Sequence, residues 1–99
     1  MIVEFSVIPI GSGTSLSKYV AECVRVVEGS GLKHQLTSMG TIIEGGRDEV
    51  LPVVMACHDR VLEMSDRVVT DIRIDDRKDI RSSIEQKMES VRKEMKRKD

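Results

Sequence analysis

Met39-Gly40-Thr41-Ile42-Ile43-Glu44-Gly45-Gly46 is the stretch of sequence that decides the fold. A glycine turn at Met39-Gly40 leads into a short apolar strand, Glu44 ends that strand, and two glycines lead into a helix. Outward from this stretch, the spacing of apolar residues predicts the order strand, helix, strand, strand, helix, strand, followed by a helix at the C-terminus.

This order predicts an α+β fold, the ferredoxin-like α/β sandwich with an added C-terminal helix, as one domain over residues 1–99. The predicted strands are Ile2–Ile10, Lys33–Ser38, Thr41–Gly45 and Asp66–Arg77. Ser38 is expected to pair with Thr41, which puts Gln35 opposite Glu44. Right-handed crossovers predict that the first and third strands are adjacent and parallel. The Gly11–Ser15 and Gly45–Asp48 loops would then lie at the same end of the sheet.

The alternation along the strands predicts two different sheet faces. Leu36 and Ile43 are expected on the face that the helices cover. The other face is expected to carry Glu4, Ser6, Gln35, Thr37, Glu44, Asp71, Arg73 and Asp75, with Ile8, Ile42 and Val69 among them. These apolar residues favour a face that is held against another copy of the chain. The last helix, from about Asp79 with a possible capping box of Ser82 and Glu85, is either solvated or in contact with a second subunit.

The helices are also predicted in detail at their ends. Hydroxyls of the Gly11–Ser15 loop are expected to cap the first helix, and Asp48 is expected to cap the second. The apolar stripe of the first helix is expected to include Tyr19, Val20, Cys23 and Val27, and that of the second helix includes Cys57. The two cysteines are therefore expected to be buried free thiols of a protein in the reducing cytoplasm.

The composition excludes several classes of protein. Sixteen basic and 17 acidic residues give a net charge of −1, which indicates no polyanionic partner. Phe5 falls on the covered face and Thr41–Gly46 has no aromatic residue, so the sheet lacks the stacking surface of an RNA-recognition motif. The apolar N-terminal segment contains Glu4 and Pro9 and is predicted to be a strand, and no apolar run reaches the roughly 20 residues that span a membrane.

The sequence also gives little sign of catalytic or metal chemistry. Cys23, His34, Cys57 and His58 show neither C-x-x-C nor H-x-x-x-H spacing, and no metal site is predicted. The thiols are predicted to be buried and no serine lies in a nucleophile elbow, so no enzymatic activity is predicted.

Two places are candidates for ligand binding. The loop Gly11-Ser12-Gly13-Thr14-Ser15 has glycines and hydroxyls before a helix, which suits a phosphate or sulfate with Arg47 nearby, although the same residues are ordinary in turns and caps. Glu44, beside two glycines, suits a cationic or amino-bearing ligand, or else a salt bridge with Arg47 or Arg73.

The chain also resembles a known family. The matching features are Pro9-x-Gly11, Ser30-Gly31-Leu32, Ser38-Met-Gly-Thr-Ile-Ile-Glu-Gly45, His58, Arg67-Val68 and Ile74-Asp-Asp-Arg77. Together they cover nearly the whole chain. On these residues the chain resembles the small, YkoF-like thiamine-binding proteins of archaea and bacteria.

The resemblance implies a ferredoxin-like fold, dimers with sheets packed face to face, and homotetramers built from those dimers. It also implies binding of thiamine or a hydroxymethylpyrimidine, without catalysis and without a cofactor. Glu44 would hold the aminopyrimidine. Met39, Tyr19 or a carboxylate would lie beside the thiazolium, and Ser38, Thr41 and Ser6 would be hydroxyl partners. The alternative for Tyr19 is a core position, since it lies on the apolar stripe of the first helix. The alternative function is an oligomeric structural or regulatory module.

Overall fold

The computed structural model describes residues 1–13, 15–78 and 84–96 of the chain. Its elements are β1 Ile2–Pro9, α1 Ser17–Ser30, β2 Lys33–Thr37, β3 Gly40–Glu44, α2 Arg47–Leu62, β4 Val68–Asp75 and α3 Ile84–Lys96. The strands form one sheet in the order β2-β3-β1-β4, with every neighbouring pair antiparallel. This α+β layout confirms the predicted ferredoxin-like fold with an added C-terminal helix.

The direction of β3 relative to β1 differs from the prediction. The two strands are adjacent but antiparallel, with Ile2 opposite Glu44 and Phe5 opposite Thr41. The crossover through α1 leaves β1 parallel to β2, and β3 then turns back along β2, so it must run against β1. The predicted parallel pairing is therefore wrong. As a consequence, the Gly11–Ser15 and Gly45–Asp48 loops lie at opposite ends of the sheet.

The β2–β3 hairpin turns one residue earlier than predicted. Thr37 lies opposite Gly40 and Lys33 opposite Glu44, so the loop is Ser38-Met39 and the predicted register is wrong by two residues. The Thr37 hydroxyl closes the loop, because it accepts hydrogen bonds from the backbone N–H groups of Met39 and Gly40 at 3.2 and 3.1 Å and donates to the Gly40 carbonyl at 2.9 Å. A shift of two keeps every side chain on its predicted face.

Gly40 is required by contact with β1 and not by the turn. Its φ is not positive, unlike that of Gly11, Gly13 and Gly31. A Cβ atom at position 40 would lie 2.8 Å from the carbonyl oxygen of Phe5. Only a residue without a side chain lets the two strands approach this closely.

The core lies between the sheet and helices α1 and α2. Its buried members are Val3, Phe5, Tyr19, Cys23, Val27, Ile43, Val50, Val54, Cys57 and Val61. Tyr19, Cys23 and Cys57 among them confirm the predicted stripes at these positions and the burial of both free cysteines, whereas Val20 of the predicted α1 stripe is exposed. The helix caps differ from the prediction. Leu16 is the N-cap of α1, with no side-chain cap among the described residues. At α2, Glu49 and not Asp48 accepts a hydrogen bond from the Gly46 N–H at 2.9 Å.

The second sheet face and α3 complete the architecture. The strand pairing places Ser6 opposite Asp71 and Glu4 opposite Arg73 on the face away from α1 and α2, as the alternation predicts. Lys87 of α3 forms an ion pair with Asp75, while Met88, Val91 and Met95 are exposed. The predicted Ser82–Glu85 capping box involves Ser82, which lies outside the described residues.

Replacing Gly40 with alanine is expected to destabilise the fold by about 1–3 kcal/mol, since the new methyl group meets backbone that cannot move aside without disturbing the β1–β3 pairing. Gly29→Ala is the matched control. Among the described residues, no side chain and no backbone outside its own part of α1 lies within 4 Å of the added Cβ, and alanine favours a helix by up to about 1 kcal/mol. Urea unfolding of both variants checks this. Equal stabilities would contradict the assigned role of Gly40.

Candidate ligand site at the hairpin end of the sheet

A cavity of about 250 Å³ opens between α1, β1 and the β2–β3 hairpin. We call it the hairpin cavity. It is lined by Phe5, Ser6, Val7, Ile8, Leu16, Val20, Cys23, Leu36, Thr37, Ser38, Met39, Gly40 and Thr41. Its walls are mainly apolar, and its polar side chains are hydroxyls and one thiol. Such a combination suits a flat organic ring that needs a few hydrogen bonds.

The mouth of the hairpin cavity is formed by apolar side chains that are unusually open to solvent. Met39 at the hairpin tip is 83% exposed, Leu36 is 54% exposed, and Val20 on α1 is 41% exposed. Clusters of exposed apolar side chains occur at binding sites more often than elsewhere on a protein surface. Val20 lies on the predicted buried stripe of α1, yet it is exposed because the hairpin does not close over it.

A polar groove lies on the other side of the hairpin tip. It has a volume of about 360 Å³ and is lined by Glu4, Phe5, Ser6, Met39, Asp71, Ile72 and Arg73. Ser6 and Met39 border both this groove and the hairpin cavity. The two spaces are therefore neighbours, one mainly apolar and one carrying two carboxylates and a guanidinium.

Four of the six predicted ligand residues meet at the hairpin cavity, namely Ser6, Ser38, Met39 and Thr41. Glu44 does not. It lies opposite Ile2, four residues along β1 from Ser6, which is about 13 Å at a rise of roughly 3.3 Å per residue. It lines a separate notch with Met1, Lys33 and Glu49, and its carboxylate is 3.9 Å from the Lys33 ammonium.

Tyr19 lies in the core and is only 4% exposed, so it takes the core position that was the alternative to ligand contact. The Lys18 ammonium lies 5.1 Å from the centre of its ring. Tyr19 does not line the hairpin cavity, and α1 contributes Leu16, Val20 and Cys23 instead. Helical spacing places these residues on one face but does not show that a gap is left above them.

The predicted anion site is not assembled as expected. Gly11 and Gly13 both have positive φ, but α1 begins only at Ser17 and Thr14 lies outside the described residues. Arg47 lies at the opposite end of the sheet because β1 and β3 are antiparallel. The predicted pairing of this loop with Arg47 is therefore wrong.

Cys23, at the wall of the hairpin cavity, meets Cys57 where α1 packs on α2. The Cys57 sulfur is 3.6 Å from the Cys23 carbonyl oxygen, to which its thiol donates. A hydrogen bond from Cys57 lowers the pKa of the Cys23 thiol, against the opposing effects of burial and of the Glu22 carboxylate. The same interaction, together with burial, raises the pKa of Cys57.

The described residues contain neither a cluster of metal-binding side chains nor a membrane-spanning helix. Within residues 1–13, 15–78 and 84–96, no group of three or more His, Cys, Asp or Glu side chains is placed to hold a metal ion. No helix in the same part of the chain has the length and apolar character needed to cross a membrane.

The fold and the hairpin cavity define a small α+β protein with a ligand-sized pocket. The model of a family described as thiamine-binding protein matches residues 3–92, and the chain belongs to this family. It is 41% identical to the UPF0045 protein MJ1052 of Methanocaldococcus jannaschii over 92% of this chain and 91% of the relative. It is also 41% identical to the UPF0045 protein YqgV of Bacillus subtilis, over 95% of this chain and 96% of the relative.

Solved structures share the fold. The crystal structure of MJ1052 gives a TM-score of 0.87 and covers 91% of this chain and 93% of that one. A Thermotoga maritima protein, TM0486, provisionally described as a thiamine biosynthesis/salvage protein, gives a TM-score of 0.78 at 21% identity, covering 91% and 96%. At this identity the second likeness shows the fold alone.

Thr37→Val is expected to loosen the hairpin tip, because valine keeps the shape but removes the hydroxyl that accepts from two backbone N–H groups. We expect faster hydrogen exchange at Met39 and Gly40 and a loss of stability of about 1 kcal/mol. Exposed Ser38→Ala is the control and should leave both quantities nearly unchanged. Unchanged exchange in Thr37→Val would contradict the role of the hydroxyl.

Proposed function

We propose that the protein binds thiamine or a hydroxymethylpyrimidine-type analogue in the hairpin cavity, without catalysing a reaction. The observation that carries the proposal is the juxtaposition of a mainly apolar, hydroxyl-bearing cavity and a carboxylate-bearing groove across Met39. Membership of the thiamine-binding protein family supports it. Thiamine has the matching two halves, a flat aminopyrimidine and a cationic thiazolium.

The hairpin cavity suits the pyrimidine ring. Its volume of about 250 Å³ is at the small end of ligand pockets, so one ring fits and the remainder of a larger ligand must extend outward. Ser38 and Thr41 border this space and can exchange hydrogen bonds with ring nitrogens and an amino group. Phe5, Leu16 and Val20 supply the apolar contacts.

The polar groove suits the cationic thiazolium. Glu4 and Asp71 place two carboxylates on the same sheet face as Ser6, and Arg73 lies beside them. A cation between two carboxylates is favoured electrostatically, and the nearby Arg73 limits the excess negative charge. Met39 offers a polarisable thioether at the boundary between the two halves of the ligand.

Glu44 remains a predicted ligand for the aminopyrimidine, and the geometry restricts how it can act. Within one subunit its carboxylate is separated from Ser6 by four residues of β1. Contact with a ligand in the hairpin cavity therefore needs a second copy of the chain that lays its Glu44 end over the cavity. Homo-oligomers up to a tetramer, with sheets packed face to face, form part of this proposal.

A cytoplasmic location also forms part of the proposal. Both cysteines are free and buried, which suits a reducing compartment. The runner-up function, a structural or regulatory oligomeric module, uses the same sheet face and exposed helix but no ligand.

Thiamine and hydroxymethylpyrimidine are expected to raise the melting temperature of the protein in a saturable way, since a ligand at 100 times its Kd stabilises by about 2.7 kcal/mol. Val20→Phe should weaken the binding of both compounds about tenfold or more, because the larger side chain fills the cavity mouth. Met55→Phe, a matched exposed position on α2, should not. A shift with sulfate alone would favour the anion-binding alternative, and no shift with any compound would favour the assembly module.

Glu44→Gln tests the carboxylate separately. If a second subunit brings Glu44 to the ligand, this variant binds thiamine about tenfold more weakly or worse, in keeping with the loss of a charged hydrogen bond. Isothermal titration, with the mass in solution measured for each variant, checks this. Unchanged affinity would show that the role assigned to Glu44 is wrong while leaving the hairpin cavity as the site.

A further inference from the structure

Cys23 and Cys57 form a pair of thiols that the proposed binding function does not use. They are 34 positions apart in sequence and meet because α1 and α2 pack side by side. Cys57 is fully buried, whereas Cys23 is 7% exposed and lines the hairpin cavity. A small molecule in the cavity therefore reaches one thiol of the pair and not the other.

The contact between the thiols gives them different chemical roles. Cys57 has one proton and two acceptors in reach, the Cys23 carbonyl oxygen at 3.6 Å and the Cys23 sulfur. When Cys23 ionises, a hydrogen bond from Cys57 to its sulfur stabilises the thiolate, and the pKa of Cys23 is lowered. The pKa of Cys57 is raised, so it stays a thiol in contact with a reactive neighbour.

We propose that Cys23 is an oxidation site reached through the hairpin cavity, where a hydroperoxide converts it to a sulfenic acid that Cys57 then resolves as a disulfide between α1 and α2. Hydroperoxides suit this entrance because they are small and uncharged, and the walls around Cys23 are mainly apolar. The thiolate, and not the thiol, is the form that reacts with them.

The two steps balance as follows. The Cys23 thiolate attacks the terminal peroxide oxygen, the O–O bond breaks, and the leaving alkoxide or hydroxide takes a proton from solvent. Oxidation removes the Cys23 thiolate whose charge helps to raise the pKa of Cys57. The Cys57 sulfur then attacks the Cys23 sulfur while its proton passes to the sulfenic hydroxyl, the S–O bond breaks, and that hydroxyl leaves as water. The thiols lose two electrons in total, and one hydroperoxide is reduced.

This inference connects with the binding function at one point only. A ligand that fills the hairpin cavity covers Cys23 and should protect it from oxidation, and this protection rests on the proposed function. The oxidation itself depends only on the thiol pair and on access through the cavity. The two proposals can therefore fail separately.

The first experiment treats the folded, full-length protein with hydrogen peroxide and follows intact mass. We expect the loss of two hydrogens, with Cys23 and Cys57 joined in the same peptide pair. Cys57→Ser should instead accumulate a sulfenic acid at Cys23 that a dimedone probe traps. Cys23→Ser should leave Cys57 at least about tenfold less reactive, because this thiol is buried.

Three results would overturn the proposal. The first is that wild-type protein reacts with peroxide only when urea is added. The second is that Cys57 in the Cys23→Ser variant reacts as fast as Cys23 does in the wild-type protein. The third is that wild-type protein accumulates a stable Cys23 sulfenic acid and forms no disulfide. Two further variants test the route. Val20→Phe should slow oxidation by narrowing the cavity mouth, and Met55→Phe should not. Equal rates in these two variants would overturn access through the cavity.

Thiamine added before peroxide separates this inference from the proposed function. Protection of Cys23 supports both. Oxidation in the presence of thiamine at the wild-type rate, with Val20→Phe still slow, would support the oxidation site and count against thiamine in the cavity. Saturable thiamine binding by a protein whose thiols resist peroxide would support the binding function and overturn the oxidation site.

Discussion

The antiparallel pairing of β1 with β3 is the constraint on which the site depends. It fixes Phe5 opposite Thr41. The hairpin tip, which precedes the first residue of β3, therefore lies beside the second half of β1. The pairing requires Gly40, because a side chain there would meet the Phe5 carbonyl oxygen at 2.8 Å. The hairpin cavity is the space left between this tip, β1 and α1. A different register would place other residues around it.

The sequence was sufficient to predict the faces of the sheet but not its directions. Side-chain alternation has a period of two, so placing the turn at Met39-Gly40 in place of Ser38-Met39 shifted the β2–β3 register without moving any residue to the wrong face. Strand direction depends on the path of the chain in space. The antiparallel direction of β2 and β3 was predicted correctly from the hairpin, whereas β3 was predicted to run parallel to β1 and runs antiparallel to it. That inversion misplaced Arg47 relative to Gly11.

The limits of sequence reasoning at the site have a similar origin. Helical spacing correctly placed Cys23, Val27 and Tyr19 in the core. It also placed Val20 there, although Val20 lies at an open mouth, because periodicity reports which side of a helix faces the sheet and not whether the space is filled. The meeting of Cys23 with Cys57 was equally invisible, since it depends on the relative position of two helices.

The antiparallel register also connects the proposed ligand binding with the proposed assembly. It puts the hydroxyls and Met39 at one end of the sheet and Glu44 at the other. In the proposed function, a second copy of the chain completes a site that uses both ends. The exposed apolar groups at the hairpin tip, and Ile8 and Val69 near the same end of the sheet, favour such a contact, because their burial contributes about 25 cal/mol for each Å² of apolar surface removed from water.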